Sequence, residues 1–214
     1  MSAVFLDLDG TLMNSRPGIT GSLAHAFALH GMDTHATSDL TWMIGPPFVE
    51  SFTKLGIADP TPILDAYRDH YTASGMYDAE VYDGVIPALQ MMRDAGMRLY
   101  LMTAKPHAYA TKITAHFGLA PFMTAEFGPE LDGTRNWKGD LLAYALEQTG
   151  ETAEASVMVG DRHHDMGAAA EVGMAAIAVR WGYGTPEDWV GAAKFIDHAA
   201  ELPAAAGALL AQRR

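Results

Sequence analysis

Cysteine does not occur among the 214 residues, so no disulfide, thiol nucleophile or thiolate-bound metal has a part in this protein, and a reducing compartment suits it. Cations are scarce as well. Lys and Arg number 14 against 26 Asp and Glu, a formal net charge of −12, and no basic cluster interrupts that balance, which argues against nucleic acid or an anionic membrane as a partner. No apolar run approaches the length of a membrane span, and Asp7 cuts the N-terminal run too early for a secretory signal. A soluble, cytoplasmic protein is the expectation. Its length allows one full core, or a core with a small inserted domain.

What the chain does have is concentrated first in residues 1–12. Val4, Phe5 and Leu6 form a short apolar run that ends at Asp7, Asp9, Gly10 and Thr11, the pattern of a buried strand emptying into a polar turn. At the C-terminal end of a parallel strand, two carboxylates one residue apart can hold a divalent cation or divide the roles of nucleophile and acid. A hairpin or Asx turn would use the same letters. Beyond Asn14 the pattern turns helical. Ile19, Leu23 and Phe27 recur at helical spacing over residues 17–30, a second helical piece covers 40–43 before the turn at 44–48, and a third spans 62–74 with Ile63, Tyr67 and Tyr71 on one face. No strand pattern occurs between Asn14 and Glu80. An all-helical block inserted after the first strand reads as a separate domain over 15–80, with 1–14 and 81–214 forming the α/β core.

From Tyr82 onward strand and helix alternate, as a doubly wound parallel sheet requires. Strands are predicted at 97–102, 125–127, 156–159 and 175–179, with a short one at 194–196 and an Ala-rich closing helix that suits a monomer or a homodimer equally. Asn136 is the expected cap of a helix whose first turn carries Lys138. Thr103 and Lys105 follow one strand, and Asp161 and Asp165 another, so with Asp7 and Asp9 they gather on one sheet edge. Taken singly, each has a plain role as a cap or a solvated surface group. Taken together they form a site. Were Asp7, Asp161 and a further carboxylate to converge within about 4 Å, each like-charge pair would cost on the order of 4 kcal/mol, so a counter-ion is required. With oxygen ligands only, Mg2+ is favoured over zinc or copper, while His163 and His164 leave a transition metal as the alternative.

In these motifs the chain resembles the haloacid dehalogenase superfamily of aspartate-nucleophile phosphohydrolases that carry a helical cap. The resemblance runs through Asp7-Leu-Asp-Gly-Thr11, Thr103, Lys138, and Gly160-Asp161 with Asp165. Ile44-Gly-Pro-Pro47, Ser51-Phe52 and Trp181-Gly-Tyr-Gly184 are similar to its phosphoglycolate phosphatase-like branch, which includes bacterial 5′-nucleotidase-like members. The resemblance implies a Rossmannoid core and a Mg2+-dependent phosphatase of small phosphate esters. Asp7 would be the nucleophile, Asp9 the acid and base, and Thr103 and Lys138 the phosphoryl holders. Asp7, the Asp9 carbonyl and Asp161 would bind the metal, with Asp165 behind them. Gly10 and Thr11, with Ala104 and Lys105, would complete the phosphate site, and Pro46, Pro47, Ser51 and Arg68 would meet the leaving group, Phe52 and Tyr71 reading first as core of the helical block. Asn14 and Ala104 depart from the commoner residues of the family, and Arg162 would form an ion pair or reach the cap. Other superfamily chemistries remain as alternatives: a phosphonatase, for which Lys54 is the one lysine available between Asn14 and Glu80, or a phosphomutase. A non-enzymatic phosphoacceptor or binding protein is the alternative from another class.

Overall fold

A computed structural model describes residues 2–212. The chain opens with β1 (Ala3–Leu6), passes through the two-residue β2 (Met13–Asn14) and enters the helical block of α1 (Arg16–Leu29), α2 (Asp33–Ala36), a 3-10 turn at Thr41–Met43, α3 (Phe48–Lys54) and α4 (Thr61–Ala73). It leaves that block through β3 (Glu80–Val81) and continues as α5 (Val85–Asp94), β4 (Arg98–Met102), α6 (His107–His116) and β5 (Ala125–Phe127). The remainder is α7 (Lys138–Thr149), β6 (Ser156–Gly160), α8 (His163–Glu171), β7 (Ala175–Val179), β8 (Lys194–Ile196) and α9 (Leu202–Gln212). Among the described residues, no helix is long and apolar enough to cross a membrane.

Six strands form one parallel sheet in the order β5-β4-β1-β6-β7-β8, the doubly wound arrangement expected. Side chains alternate across a strand, so Val4 and Leu6 join Leu99, Leu101, Val157 and Val159 on one face, under α5 and α9. Ala3 and Phe5 join Tyr100, Met102 and Met158 on the other, under α7 and α8. Both faces are covered. That burial is why the strands read as unbroken apolar runs.

Register decides where the polar residues go. Leu6 lies beside Leu101 on one side and Val159 on the other, so the three central strands end at one level. Asp7, Thr103 and Asp161 therefore leave the sheet together, Asp7 still donating its N–H to the Val159 carbonyl at 2.9 Å.

The helical block departs from expectation at its edges. Met13–Asn14 pairs antiparallel with Glu80–Val81, a two-rung ribbon with no strand signature, because two residues are too short to show a period of two. The piece expected at 40–43 is a 3-10 turn, and the sequence reading missed both α2 and α3, the latter starting at Phe48 directly after Pro47. In the core, Asn136 does not cap α7. Trp137 holds that position with no side-chain bond to the helix, and Lys138 begins the helix with its ammonium turned into the site.

Candidate active site

Asp7 is 5% exposed and Asp161 is fully buried, so both carboxylates are cut off from water at the sheet edge. Lys138, the first residue of α7, donates to Asp7 Oδ1 at 2.7 Å and lies 2.5 Å from Asp165 Oδ1. The other oxygen of Asp165 accepts the Arg162 backbone N–H at 3.0 Å, which caps α8 and fixes the carboxylate toward the cluster. Asp161 Oδ2 accepts the Tyr183 backbone N–H at 2.6 Å, and its Oδ1 has no protein partner.

The glycines of these motifs have a steric cause. Gly10 has φ +83°, and a Cβ there would stand 2.3 Å from Asp161 Oδ2; one on Gly182 would stand 2.5 Å from the same oxygen. Trp189 completes the enclosure by donating its indole N–H to the Asp161 carbonyl at 3.0 Å. The sequence reading missed Tyr183 and Trp189, and only the small residues of Trp181-Gly-Tyr-Gly184 hint at such close approach.

Asp9 sits apart from this cluster and faces the helical block. Its Oδ1 accepts from Ser15 Oγ at 2.5 Å, and its Oδ2 is 3.0 Å from Lys105 Nζ. Ser15 is the N-cap residue of α1, yet its hydroxyl makes no cap bond because it is spent on Asp9. Thr103 is buried, and its Oγ1 accepts the Lys105 N–H at 3.1 Å. Around the hinge, Tyr183 Oη accepts the Ser15 and Arg16 N–H groups at 2.8 and 3.0 Å and donates to Asn14 Oδ1 at 3.1 Å. Asn14 in turn donates to Glu80 at 3.1 Å, so it tethers the two ends of the block.

A cleft of about 320 Å³ runs between this edge and the helical block. At its polar end stand Asp7, Asp9, Thr103, Ala104, Lys105, Lys138 and Asp165. Its other walls carry Ile44, Pro46, Pro47, Phe48, Tyr67, Tyr71 and Tyr109, with Arg68 at an exposed rim. Gly10, Thr11, Phe52 and Ser51 are not on the wall, and Ser51 is buried inside the block with its hydroxyl unpartnered. Tyr71, in contrast to the expectation of a plain core role, is both buried and on the wall. Lys54 is exposed, lies over the Trp42 ring at 5.9 Å and is off the cleft, so the block places no lysine where a phosphonatase would need one.

The expected alternative for Arg162 resolves to an ion pair. Its Nε lies 3.5 Å from Asp188 Oδ1, which His163 Nδ1 also meets at 2.6 Å. His163 is thus engaged away from the cluster. His164 lines the cleft 4.0 Å from Glu50, and burial, aided by His163 and Lys138, pushes its imidazole down to about 4, so it is neutral at physiological pH. Neither histidine joins the three carboxylates.

Electrostatics define what the cluster needs. Asp7, Asp161 and Asp165 present oxygens within 4.8 Å of one another, against the single Lys138 ammonium. Burial pushes Asp7 up to about 7, and Asp165 and Asp9 add to it against the pull of Lys138. Asp161 is raised well above the usual carboxylate range by burial, then by Asp165 and Asp7. Burial works to lower Lys138, but Asp165 and Asp7 outweigh it and keep it charged. Three oxygen ligands, one of them orphaned, with a net deficit of positive charge, fit a hard divalent cation such as Mg2+.

A stability prediction follows from Asp7 alone. Between its unfolded value of 3.8 and its folded value of about 7, the folded state binds more protons than the unfolded one, so stability is lost as pH rises through that window. In chelator, the melting temperature should fall from pH 5 to pH 8, by an amount equivalent to a few kcal/mol. Added Mg2+ should abolish the fall by supplying the charge that the proton supplied. A flat or rising profile in chelator, read by calorimetry, would contradict this account.

The sequence profile of the haloacid dehalogenase-like hydrolases matches residues 4–179. A 5′-nucleotidase of Pseudomonas aeruginosa is 36% identical over 188 residues, covering 86% of this chain and 85% of that protein. Tyrosine-protein kinase PtkA of Mycobacterium tuberculosis is 38% identical over 182 residues, covering 85% of this chain and 62% of the kinase. The crystal structure of a predicted phosphatase from Clostridium acetobutylicum superposes with a TM-score of 0.90 at 33% identity, covering 95% of this chain and 97% of the other. Carboxylates, lysine and threonine on one edge of such a sheet, matched over most of the length, place the chain in a family: it belongs to the haloacid dehalogenase-like hydrolases.

Proposed function

We propose that this chain is a Mg2+-dependent phosphatase that hydrolyses small phosphate monoesters through an aspartyl-phosphate on Asp7, with residues 15–80 serving as its cap. The observation that carries this reading is the separation of two buried carboxylates on one strand end. Asp7 is grouped with Asp161, Asp165 and Lys138, while Asp9 is held apart by Ser15 and Lys105. The first carboxylate suits attack beside a metal, the second proton transfer.

In the first half-reaction Asp7 Oδ bonds to phosphorus as the ester P–O bond breaks, and Asp9 gives its proton to the departing oxygen. In the second, Asp9 takes a proton from a water whose oxygen bonds to phosphorus as the bond to Asp7 breaks, releasing phosphate. Lys138 and Thr103, both on the cleft wall, would hold the phosphoryl oxygens. Asp7, the Asp9 backbone carbonyl and Asp161 would hold Mg2+, with Asp165 behind them, and the ion would offset the charge on those oxygens.

The walls of the cleft favour a flat, weakly charged leaving group. Its cations are already engaged: Lys105 with Asp9, Lys138 with Asp7 and Asp165, and Arg162 with Asp188. Arg68 stands at the rim, 45% exposed and 3.5 Å from Asp65 Oδ1. Against this stands an aromatic wall. Phe48 meets Tyr67 edge-on at 4.8 Å, Tyr67 stacks on Tyr71 at 5.3 Å, and Tyr71 meets Tyr109 edge-on at 6.0 Å. A nucleoside 5′-monophosphate suits this wall; a leaving group that bears a carboxylate, as in 2-phosphoglycolate, finds no free cation inside.

Phosphate release with Mg2+ from nucleoside 5′-monophosphates, 2-phosphoglycolate, sugar phosphates and phosphonoacetaldehyde tests both levels of this reading. For the best nucleotide, kcat/KM is expected to exceed that for phosphoglycolate at least about tenfold. The reverse order would overturn the leaving-group assignment alone. No turnover of any ester would overturn the phosphatase.

A further inference from the structure

We infer that Tyr71 and Lys105 are positioning residues for Asp9, so that the seating of α4 on the core is what aims the proton-transferring carboxylate at the leaving group. This rests on the phosphatase reading above.

A carboxylate on a turn swings about its side-chain bonds unless both oxygens are held. Ser15 holds Oδ1 of Asp9 and Lys105 holds Oδ2. Lysine is a poor holder by itself, since its stem carries four rotatable bonds. Here the ammonium is pinned from a second direction, donating to Tyr71 Oη at 2.8 Å and lying 5.0 Å from the centroid of the same ring. An ammonium has no lone pair, so the tyrosine oxygen is the acceptor. Lys105 is only 8% exposed and Tyr71 only 2%, so neither contact is diluted by water.

Tyr71 belongs to the helical block and Lys105 and Asp9 to the sheet edge, which makes Lys105 a bridge between the two. Tyr71 is itself fixed between the rings of Tyr67 and Tyr109, and Gly75 leaves it room: a Cβ on that glycine would lie 3.2 Å from Tyr71 Cδ2. When α4 shifts, Tyr71 Oη leaves, Lys105 regains its freedom and Asp9 loses the partner on one oxygen. Proton delivery then depends on the position of the block, whereas attack by Asp7, whose partner Lys138 is held by Asp165 within the core, does not.

That asymmetry gives the test. Phenyl and p-nitrophenyl phosphate have nearly the same shape, but p-nitrophenolate departs without a proton and phenolate gains from one. Tyr71→Phe keeps the ring stack and removes only the oxygen. The ratio of kcat/KM for p-nitrophenyl over phenyl phosphate should rise about tenfold in this variant, a fraction of the 10²–10⁴ that a general acid supplies. A purely structural role would lower both substrates alike, and an unchanged ratio overturns the proposal. Reductive methylation of Lys105, followed by peptide mass spectrometry, reads the same link without turnover. Lys105 should be protected in the wild type and modified in Tyr71→Phe, and equal protection in both also overturns it. A wild type that turns over no ester overturns the phosphatase and this proposal together, whereas a normal wild type with an unchanged ratio overturns this proposal alone.

Discussion

Asp7→Asn is expected to abolish turnover while making the metal-free protein more stable. The loss should be at least about 10³-fold in kcat, because in the proposed mechanism the amide would remove the attacking oxygen and one ligand of the divalent cation together. The stability gain has a different origin. Above pH 7 the wild-type carboxylate is ionised in a buried site beside Asp161 and Asp165, with oxygens within 4.8 Å of one another. At that separation each like-charge pair costs on the order of 3 kcal/mol at an effective dielectric of 20. Asparagine fills the same space without the charge. In chelator at pH 8 its melting temperature should exceed that of the wild type by at least about 2 °C, given 2–4 °C per kcal/mol for a chain of this length. An active Asp7→Asn protein would show that Asp7 is not the nucleophile; an inactive one with a lowered melting temperature would show that the cluster is not repulsive.

Lys138→Met should also lose activity but move stability the other way. This ammonium is the cation set between Asp7 at 2.7 Å and Asp165 at 2.5 Å, and its removal leaves the buried carboxylates facing one another. Breaking a buried ion pair from one side costs about 3–5 kcal/mol, which converts to a fall on the order of 10 °C in chelator at pH 8. Turnover should drop about 10²–10³-fold or more through loss of a donor to the phosphoryl oxygens. Opposite shifts in stability with a common loss of activity would separate the two roles. Equal shifts of one sign would mean that the substitutions act through general disruption instead. Differential scanning calorimetry and phosphate release on the two variants settle the point.

Much of the core was legible because its signals are local and repeated. Short apolar runs ending at Asp7, Thr103 and Asp161 mark strand ends, and parallel register then brings those ends to one level without further information. The one-residue spacing of Asp7 and Asp9 could be read as two roles. What could not be read was that the turn following β1 would send one to Lys138 and the other to Lys105. Ser15 holds the N-cap position of α1, and only the structure shows its hydroxyl turned to Asp9. Tyr71 carried the helical spacing of a core residue and is one, yet its oxygen lies at the cleft, because a tyrosine buries its ring and presents its tip. Asn136 had the right letter for a cap but the wrong place, since α7 begins where Lys138 must face inward. Contacts that depend on how one block docks on another leave no period in the chain.

The two-rung ribbon of Met13–Asn14 with Glu80–Val81 has a bearing on how such a chain changes over evolutionary time. Its antiparallel pairing, with Tyr82 donating to the Leu12 carbonyl at 3.1 Å, holds the exit and return of the insertion side by side whatever lies between them. For a closed loop, doubling the number of residues adds only about 0.6 kcal/mol of closure entropy. The core is therefore nearly indifferent to the size of what it carries there. Lengthening, shortening or exchanging the 65 residues between Asn14 and Glu80 would alter which molecules the sheet edge meets, while the ribbon at its base involves only four paired positions. New specificities are then accessible to this architecture without renegotiating its hydrophobic interior.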